Sequence, residues 1–356
     1  MRLIESQNQY PDCLSLELTT IELNNTKEFD LYLTLHFNQQ WQQILDGRLQ
    51  FGIKQGTLRL TLENSTLEAI APCLSDTFTI TPLETTPGWL FSTQSPHPVL
   101  TGTLQQAKLG TVKIKEQPLK IAATFNIQAA DISITNTEGL WKHDISPNKH
   151  GILERYLAIF LLETKLKAYL SYVVLASEEL KFEANLSEQE IPPSATEKLK
   201  TTIENIYTAK TDNFLELAKI ANLNPMSDFA GGNLLATELS GIELSGANLH
   251  QVNFRGANLT DADLSEANLT YAKFGGADLS GAYLENANLS HCDLHRASLA
   301  LANLIGADLT GANLKEANLS NVSLSLAKVT GTHFGNNTGI SEEMKLTLEE
   351  KGAIFE

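Results

Sequence analysis

The chain has 356 residues, with 42 acidic against 26 basic side chains and a formal net charge of −16. That length allows two domains with substantial cores, and the acid surplus argues against non-specific binding of nucleic acid. Three cysteines, Cys13, Cys73 and Cys292, form neither a metal-spaced cluster nor an even disulfide framework, which fits a reducing compartment.

Residues 1–186 read as a β-rich domain. The opening, Met1-Arg2-Leu3-Ile4-Glu5, lacks the apolar run of a signal peptide, and a cytoplasmic protein is expected. Apolar and polar residues alternate over 14–18 and 29–37, and further strands are predicted over 78–80, 110–114, 119–127 and 131–134. Residues 49–54 and 58–62 look like a hairpin split by Gly56, and 40–45 has the spacing of a short helix. Many short strands with turn residues between them predict a sandwich or jelly roll.

Ser146-Pro147 opens a predicted helix near 147–165, with Ser146 as N-cap and Pro147 in the first turn. Its apolar series Ile152, Leu153, Tyr156, Leu157, Phe160 and Leu161 is expected to pack on the sheet, and a strand follows near 169–174. The apolar stretch 152–176 contains Glu154, Arg155, Glu163, Lys165 and Lys167, which excludes a membrane span. His143, Asp144 and His150 stand close in sequence, but no third ligand with metal-site spacing joins them, and a helix-capping loop is the simpler reading. His36 and His97 stand alone. There is no phosphate-binding glycine loop, nucleophile elbow or paired carboxylate motif. No catalytic residue, metal or cofactor is expected.

Residues 187–226 read as a linker followed by helices. Ser194 and Glu197 form a capping box for a helix to about 208, and a second helix near 213–221 supplies Phe214, Leu217 and Ile220.

From 227 to 336 the chain repeats every five residues, in 22 units. Leu or Phe, with one Val, stands at the centre of each unit, and the residue two before it is usually Ala. Five fits neither a helix nor a strand period. The chain must turn regularly, burying one large and one small residue per unit and exposing the polar remainder. Runs such as Ala257-Asn258-Leu259-Thr260 and Ala307-Asp308-Leu309-Thr310 resemble the A(D/N)LXX signature of pentapeptide-repeat proteins. The resemblance implies a right-handed, quadrilateral parallel β-helix with four units per coil. The rod would then be roughly 26 Å long at the spacing of paired strands. Such a rod needs capped ends. Residues 187–226 are assigned as the N-terminal cap, and 337–356, with a helix from Ser341 to Gly352 followed by Ile354 and Phe355, as the C-terminal cap. This tail is similar to endings of pentapeptide-repeat proteins from phototrophic bacteria.

Four units per coil stack residues 20 apart and sort the outward charges. The wall centred on Leu234, Phe254, Phe274, Leu294, Leu314 and Phe334 carries Arg255, Lys273, Arg296 and Lys315. The opposite wall, centred on Leu244, Leu264, Leu284, Leu304 and Leu324, carries Glu243, Asp263, Glu266 and Glu285, and the adjacent wall adds Glu238, Asp261 and Asp278. Two readings fit these charges: solvated groups that keep a flat β surface from pairing with others, or one wall serving as a docking surface for a protein of opposite sign. The expected function is therefore non-enzymatic protein–protein interaction or scaffolding. Two alternatives stand beside it. Some pentapeptide-repeat proteins act as duplex-DNA mimics that bind type II topoisomerases, and the acidic walls invite that comparison. The other is an enzyme or ligand site in the N-terminal β domain.

Overall fold

A computed structural model describes residues 1–23, 27–68, 75–84, 87–93, 97–141, 144–166, 170–177 and 191–356. Cys73, His143 and the first part of the 187–193 linker lie outside the described residues. The described chain is mainly β with few helices and forms two compact units: residues 1–140 with 158–196, and residues 141–157 with 197–356.

Among the described residues the first unit holds thirteen strands. They are β1 (Arg2–Asn8), β2 (Leu14–Glu22), β3 (Glu28–Phe37), β4 (Gln40–Ile44), β5 (Gly47–Ile53), β6 (Gln55–Glu63) and β7 (Ser65–Glu68). Then come β8 (Phe78–Pro82), β9 (Gly88–Thr93), β10 (Gly102–Ile114), β11 (Lys120–Asn126), β12 (Ile132–Glu138) and β13 (Ser171–Ala176). They pair antiparallel in three sheets, ordered β1-β13-β11-β6-β9-β8, β2-β3-β10-β7 and β12-β5-β4. In β3 the alternation buries Leu31, Leu33, Leu35 and Phe37. Phe37 meets Phe78, Phe91 and Phe125 of the six-stranded sheet at ring-centroid distances of 5.3, 5.9 and 5.6 Å. That aromatic cluster joins the two larger sheets.

Two local expectations are corrected. Residues 40–44 form a strand, β4, rather than a helix. Trp41, Ile44 and Leu45 have helical spacing, but β4 pairs with β5 across a two-residue turn whose first residue, Leu45, has φ of 51°. The Arg48 guanidinium then covers the Trp41 ring at 4.4 Å. Strands β5 and β6 do not form a hairpin; they enter different sheets. Gly56 marks a close approach instead, because a Cβ there would lie 2.2 Å from the Phe125 ring.

Among the described residues the α-helices are α1 (Pro147–Leu161), α2 (Pro193–Thr208), α3 (Phe214–Ile220) and α4 (Glu342–Glu350). Residues 147–157 of α1 belong to the second unit and 158–161 to the first. The Ser146 hydroxyl accepts from the Lys149 amide at 3.3 Å, the N-cap its sequence predicts. In α2 no capping box forms. Ser194 lies inside the first turn, and the Pro192 carbonyl takes the Ala195 and Thr196 amides. Asn213 caps α3 through the Glu216 amide, and Ser341 caps α4 through the Met344 amide.

In the repeat, every parallel bridge links residues 20 apart, from Asn233–Asn253 to Asn318–Thr338. The coil therefore holds four pentapeptides. The Asn258 amide donates to the Thr237 carbonyl at 2.9 Å, and the Leu239 amide donates to the Asn258 carbonyl at 2.8 Å. At the corners the central carbonyl of one unit accepts from the first amide of the next, three residues on, as from Ala247 to Leu244 at 3.1 Å. The last residue of all 22 units has positive φ, whether it is glycine or not. That is the signature of a type II turn at each corner. The large column is buried throughout, and the small column is buried from Gly232 onward, Ser227 of the first unit being exposed. Phe254 and Phe274 stack at 5.2 Å. Where a polar side chain replaces Ala, the coil satisfies it: the Thr237 and Thr332 hydroxyls donate to the Leu234 and Leu309 carbonyls at 2.8 and 2.7 Å. Burial pushes the Cys292 thiol well above its usual range, so it carries no nucleophile.

Both ends of the coil stack meet other segments of the second unit. Phe214 of α3 lies against Phe229 with ring centroids 4.9 Å apart. At the far end Ile354–Phe355 (β15) pairs parallel with His333–Phe334 (β14), and Phe355 stacks on Phe334 at 5.0 Å. The first turns of α1 also reach the first coil. Asn148 donates to the Glu238 carbonyl at 2.9 Å and accepts from the Glu238 amide at 2.8 Å. Glu154 accepts from Asn233 at 2.9 Å, and Arg155 donates to the Asp228 carbonyl. Gly151 permits the approach, since a Cβ there would lie 2.8 Å from the Leu234 side chain.

Candidate docking walls

The 20-residue stacking puts Asn253, Lys273, Asp293, Asn313 and His333 in one column and Glu243, Asp263, Tyr283, Asn303 and Ser323 in another. Each outward residue stands between two buried ones, so its side chain projects from a flat strand. The two columns differ in how their charges are used.

On the basic wall three of the four cations are held in ion pairs. Arg255 pairs with Asp293 at 3.3 Å, Arg296 with Glu316 at 2.7 Å, and Lys315 with Glu356. Lys273 lies half-buried between Arg255 and Asp293; burial, reinforced by Arg255, lowers its pKa. The Arg296 hydrogen bond holds the Glu316 carboxyl below the usual range, and Lys315 does the same for Glu356. Lys328, on another wall, pairs with Asp308 at 3.3 Å.

The acidic walls differ. Among the described residues, Glu238, Glu243, Asp261, Asp263, Glu266, Asp278 and Glu285 have no ion-pair partner. Their hydrogen bonds are to neutral groups: Asp263 accepts from the Ser265 amide at 3.0 Å, Glu238 from Asn258 at 2.9 Å, and Glu285 from Asn303. Such bonds orient the carboxylates without neutralising them. Glu238 and Glu243 also line a cleft of about 220 Å³ beside Phe214 and Leu215 of α3.

Charge counting overlooks a second feature of the acidic wall. Tyr283, Leu301, Ile305 and Leu326, on this wall or its corners, are exposed. The available signal is Leu at the last position of a unit, where Gly and Asn are frequent. Among the described residues no three His, Cys, Asp or Glu converge on a metal-sized site, and no helix is long and apolar enough to cross a membrane.

Residues 227–261, 262–300 and 297–336 match the family model for pentapeptide repeats, in eight copies. Through residues 227–336 the chain belongs to the pentapeptide-repeat family. No curated protein matches it. Solved structures similar to about a third of this chain include the following. A pentapeptide repeat protein from the cyanobacterium Cyanothece 51142 shares 28% identity, over 30% of this chain and 91% of that one, with a TM-score of 0.28. A pentapeptide repeat protein from the Arabidopsis thaliana thylakoid lumen shares 32%, over 33% and 78%, with a TM-score of 0.24. QnrB1, a plasmid-mediated fluoroquinolone resistance protein, shares 19%, over 33% and 65%, with a TM-score of 0.28.

Proposed function

We propose that this chain is a non-enzymatic binding or scaffold protein whose acidic walls dock a basic protein partner. The observation that carries this is the asymmetry of pairing: three of the four basic-wall cations, Arg255, Arg296 and Lys315, pair with Asp293, Glu316 and Glu356, while among the described residues the acidic walls leave seven carboxylates without an ion-pair partner. An uncompensated field steers encounter and sets specificity; a paired one does neither. In this reading residues 227–336 are a right-handed quadrilateral β-helix, 187–226 and 337–356 are its caps, and 1–186 is a separate sandwich-like domain, in a cytoplasmic bacterial protein. The test is affinity capture from native lysate. Neutralising Glu243, Asp263, Glu266 and Glu285 to Gln or Asn should abolish a salt-sensitive partner. Changing Arg255, Lys273 and Arg296 to Glu should not, and the opposite pattern would transfer the role to the basic wall.

Duplex-DNA mimicry is the second reading, favoured by the same carboxylates. It requires a sustained run of negative charge, and the acidic wall carries none beyond Glu285. A supercoiling assay with gyrase, showing inhibition or protection from quinolones, would favour it.

A further inference from the structure

Leu301 and Leu326 occupy corners of the acidic wall with φ of 63° and 60° and are 66% and 80% exposed. The equivalent corners in other coils hold Gly241, Asp261, Gly281 and Asn321 in the first column, and Gly246, Glu266, Asn286 and Gly306 in the second. Left-handed backbone is unfavourable for a bulky side chain and free for glycine. Folding thus gains neither backbone ease nor burial from these two leucines. Tyr283, 52% exposed, and Ile305 lie on the same wall, Ile305 beside Asn303, which bridges to Tyr283. Upstream in that column stand Asp263 and Glu243. The wall therefore changes along the rod from uncompensated carboxylates to exposed apolar side chains.

We propose that this wall docks one basic, amphipathic α-helical segment of a protein partner. Its Lys or Arg side chains lie over Glu243, Asp263 and Glu266, and its apolar side chains over Leu301, Ile305 and Leu326. This rests on the acidic-wall reading above and specifies its partner. The spacing suits a helix: coils are ~4.8 Å apart and a helical turn rises ~5.4 Å, so one turn meets about one coil. The four coil steps from Glu243 to Ser323 span roughly 19 Å, the length of about 13 helical residues. The basic wall of a second copy is a poor occupant, because Arg255, Arg296 and Lys315 on it are already paired.

The probe is a 15-residue helical peptide with lysines on one face of its first half and leucines on the same face of its second. Its control has the leucines replaced by serine. Binding to the full-length protein is followed by fluorescence anisotropy. The leucine peptide should bind at least tenfold tighter than the control. Leu301→Gly with Leu326→Gly should remove that advantage while leaving the melting temperature unchanged or higher, which separates lost docking from lost folding. Equal binding of both peptides, no binding of either, or an unaffected double-glycine variant would overturn the inference. Loss of binding on Glu243→Gln with Asp263→Asn, but not on the glycine changes, would leave the acidic wall standing and remove the apolar half. Without peptide binding, the lysate capture still decides on the acidic wall by itself.

Discussion

The side-chain amide of Asn148 pairs with both backbone groups of Glu238, donating to its carbonyl at 2.9 Å and accepting from its amide at 2.8 Å. One coil later, Asn258 makes the equivalent pair of bonds with the backbone at Thr237 and Leu239. Glu238 is in the first coil and has no coil before it on that wall. Asn148 supplies the missing peptide group, and its remaining amide hydrogen goes to the Asp212 carbonyl at 2.8 Å. An open coil end is a sheet edge, and here one buried side chain closes part of it.

Asn148→Ala should therefore cost about 2–3 kcal/mol, since it strands a backbone donor and an acceptor at a site only 2% exposed. Asn148→Asp should cost more than Ala. Its carboxylate keeps the bond from the Glu238 amide but faces the Glu238 and Asp212 carbonyls without a hydrogen to give. Urea denaturation of the three proteins checks the order, and equal midpoints for wild type and Asn148→Asp would refute it.

Gly151→Ala sets two effects against each other. Alanine gains up to about 1 kcal/mol of helix propensity, but its Cβ would lie 2.8 Å from the Leu234 side chain and 3.1 Å from the Asn233 carbonyl. Leu234 is buried, so it has little room to yield. A net loss of about 1 kcal/mol or more is expected, and a higher melting temperature for the alanine variant would show that α1 does not press on the coil.

His150 and Glu154 are one turn apart on α1 and 3.0 Å from each other. The hydrogen bond to Glu154 raises the His150 pKa, against the opposing effect of burial. The folded state thus favours the protonated ring. Its stabilisation is complete below the ordinary value of about 6.5 and is lost as pH rises through the raised folded value. His150→Gln should lower the melting temperature at about pH 5.5 and have less effect at about pH 8.5. An equal penalty at both pH values would rule out this linkage.

Phe355→Ala should cost about 1–3 kcal/mol, less than a fully buried Phe because Phe355 is half-exposed, and should loosen the last coil. Hydrogen exchange at Gly331, His333 and Phe334 should accelerate more than at Leu264. Uniform change along the rod would mean the end does not open locally.

The repeat is legible in the sequence because its period acts on every unit at once; the inward Leu264, Leu284 and Leu304 and the sorting of charges by wall follow from counting. Which charges are paired does not follow. Arg255 reaches Asp293, 38 residues on, through side-chain conformations that counting cannot supply. The role of α1 is hidden for a related reason. Its apolar residues advertise one buried face, while its contacts with the coil use Asn148, Gly151, Glu154 and Arg155, a set that reads as solvent-facing. In the N-terminal unit, alternation locates β3 and β11, but Gly56 reads as a turn because the Phe125 ring it accommodates is distant in sequence.

At every corner of the coil one residue takes positive φ, even Tyr271, Arg296 and Leu326. Winding thus dictates the backbone there, and residue type is subordinate to it. Corner side chains can be exchanged at modest cost, leaving a lattice of fixed points on which recognition is rewritten while the architecture holds still.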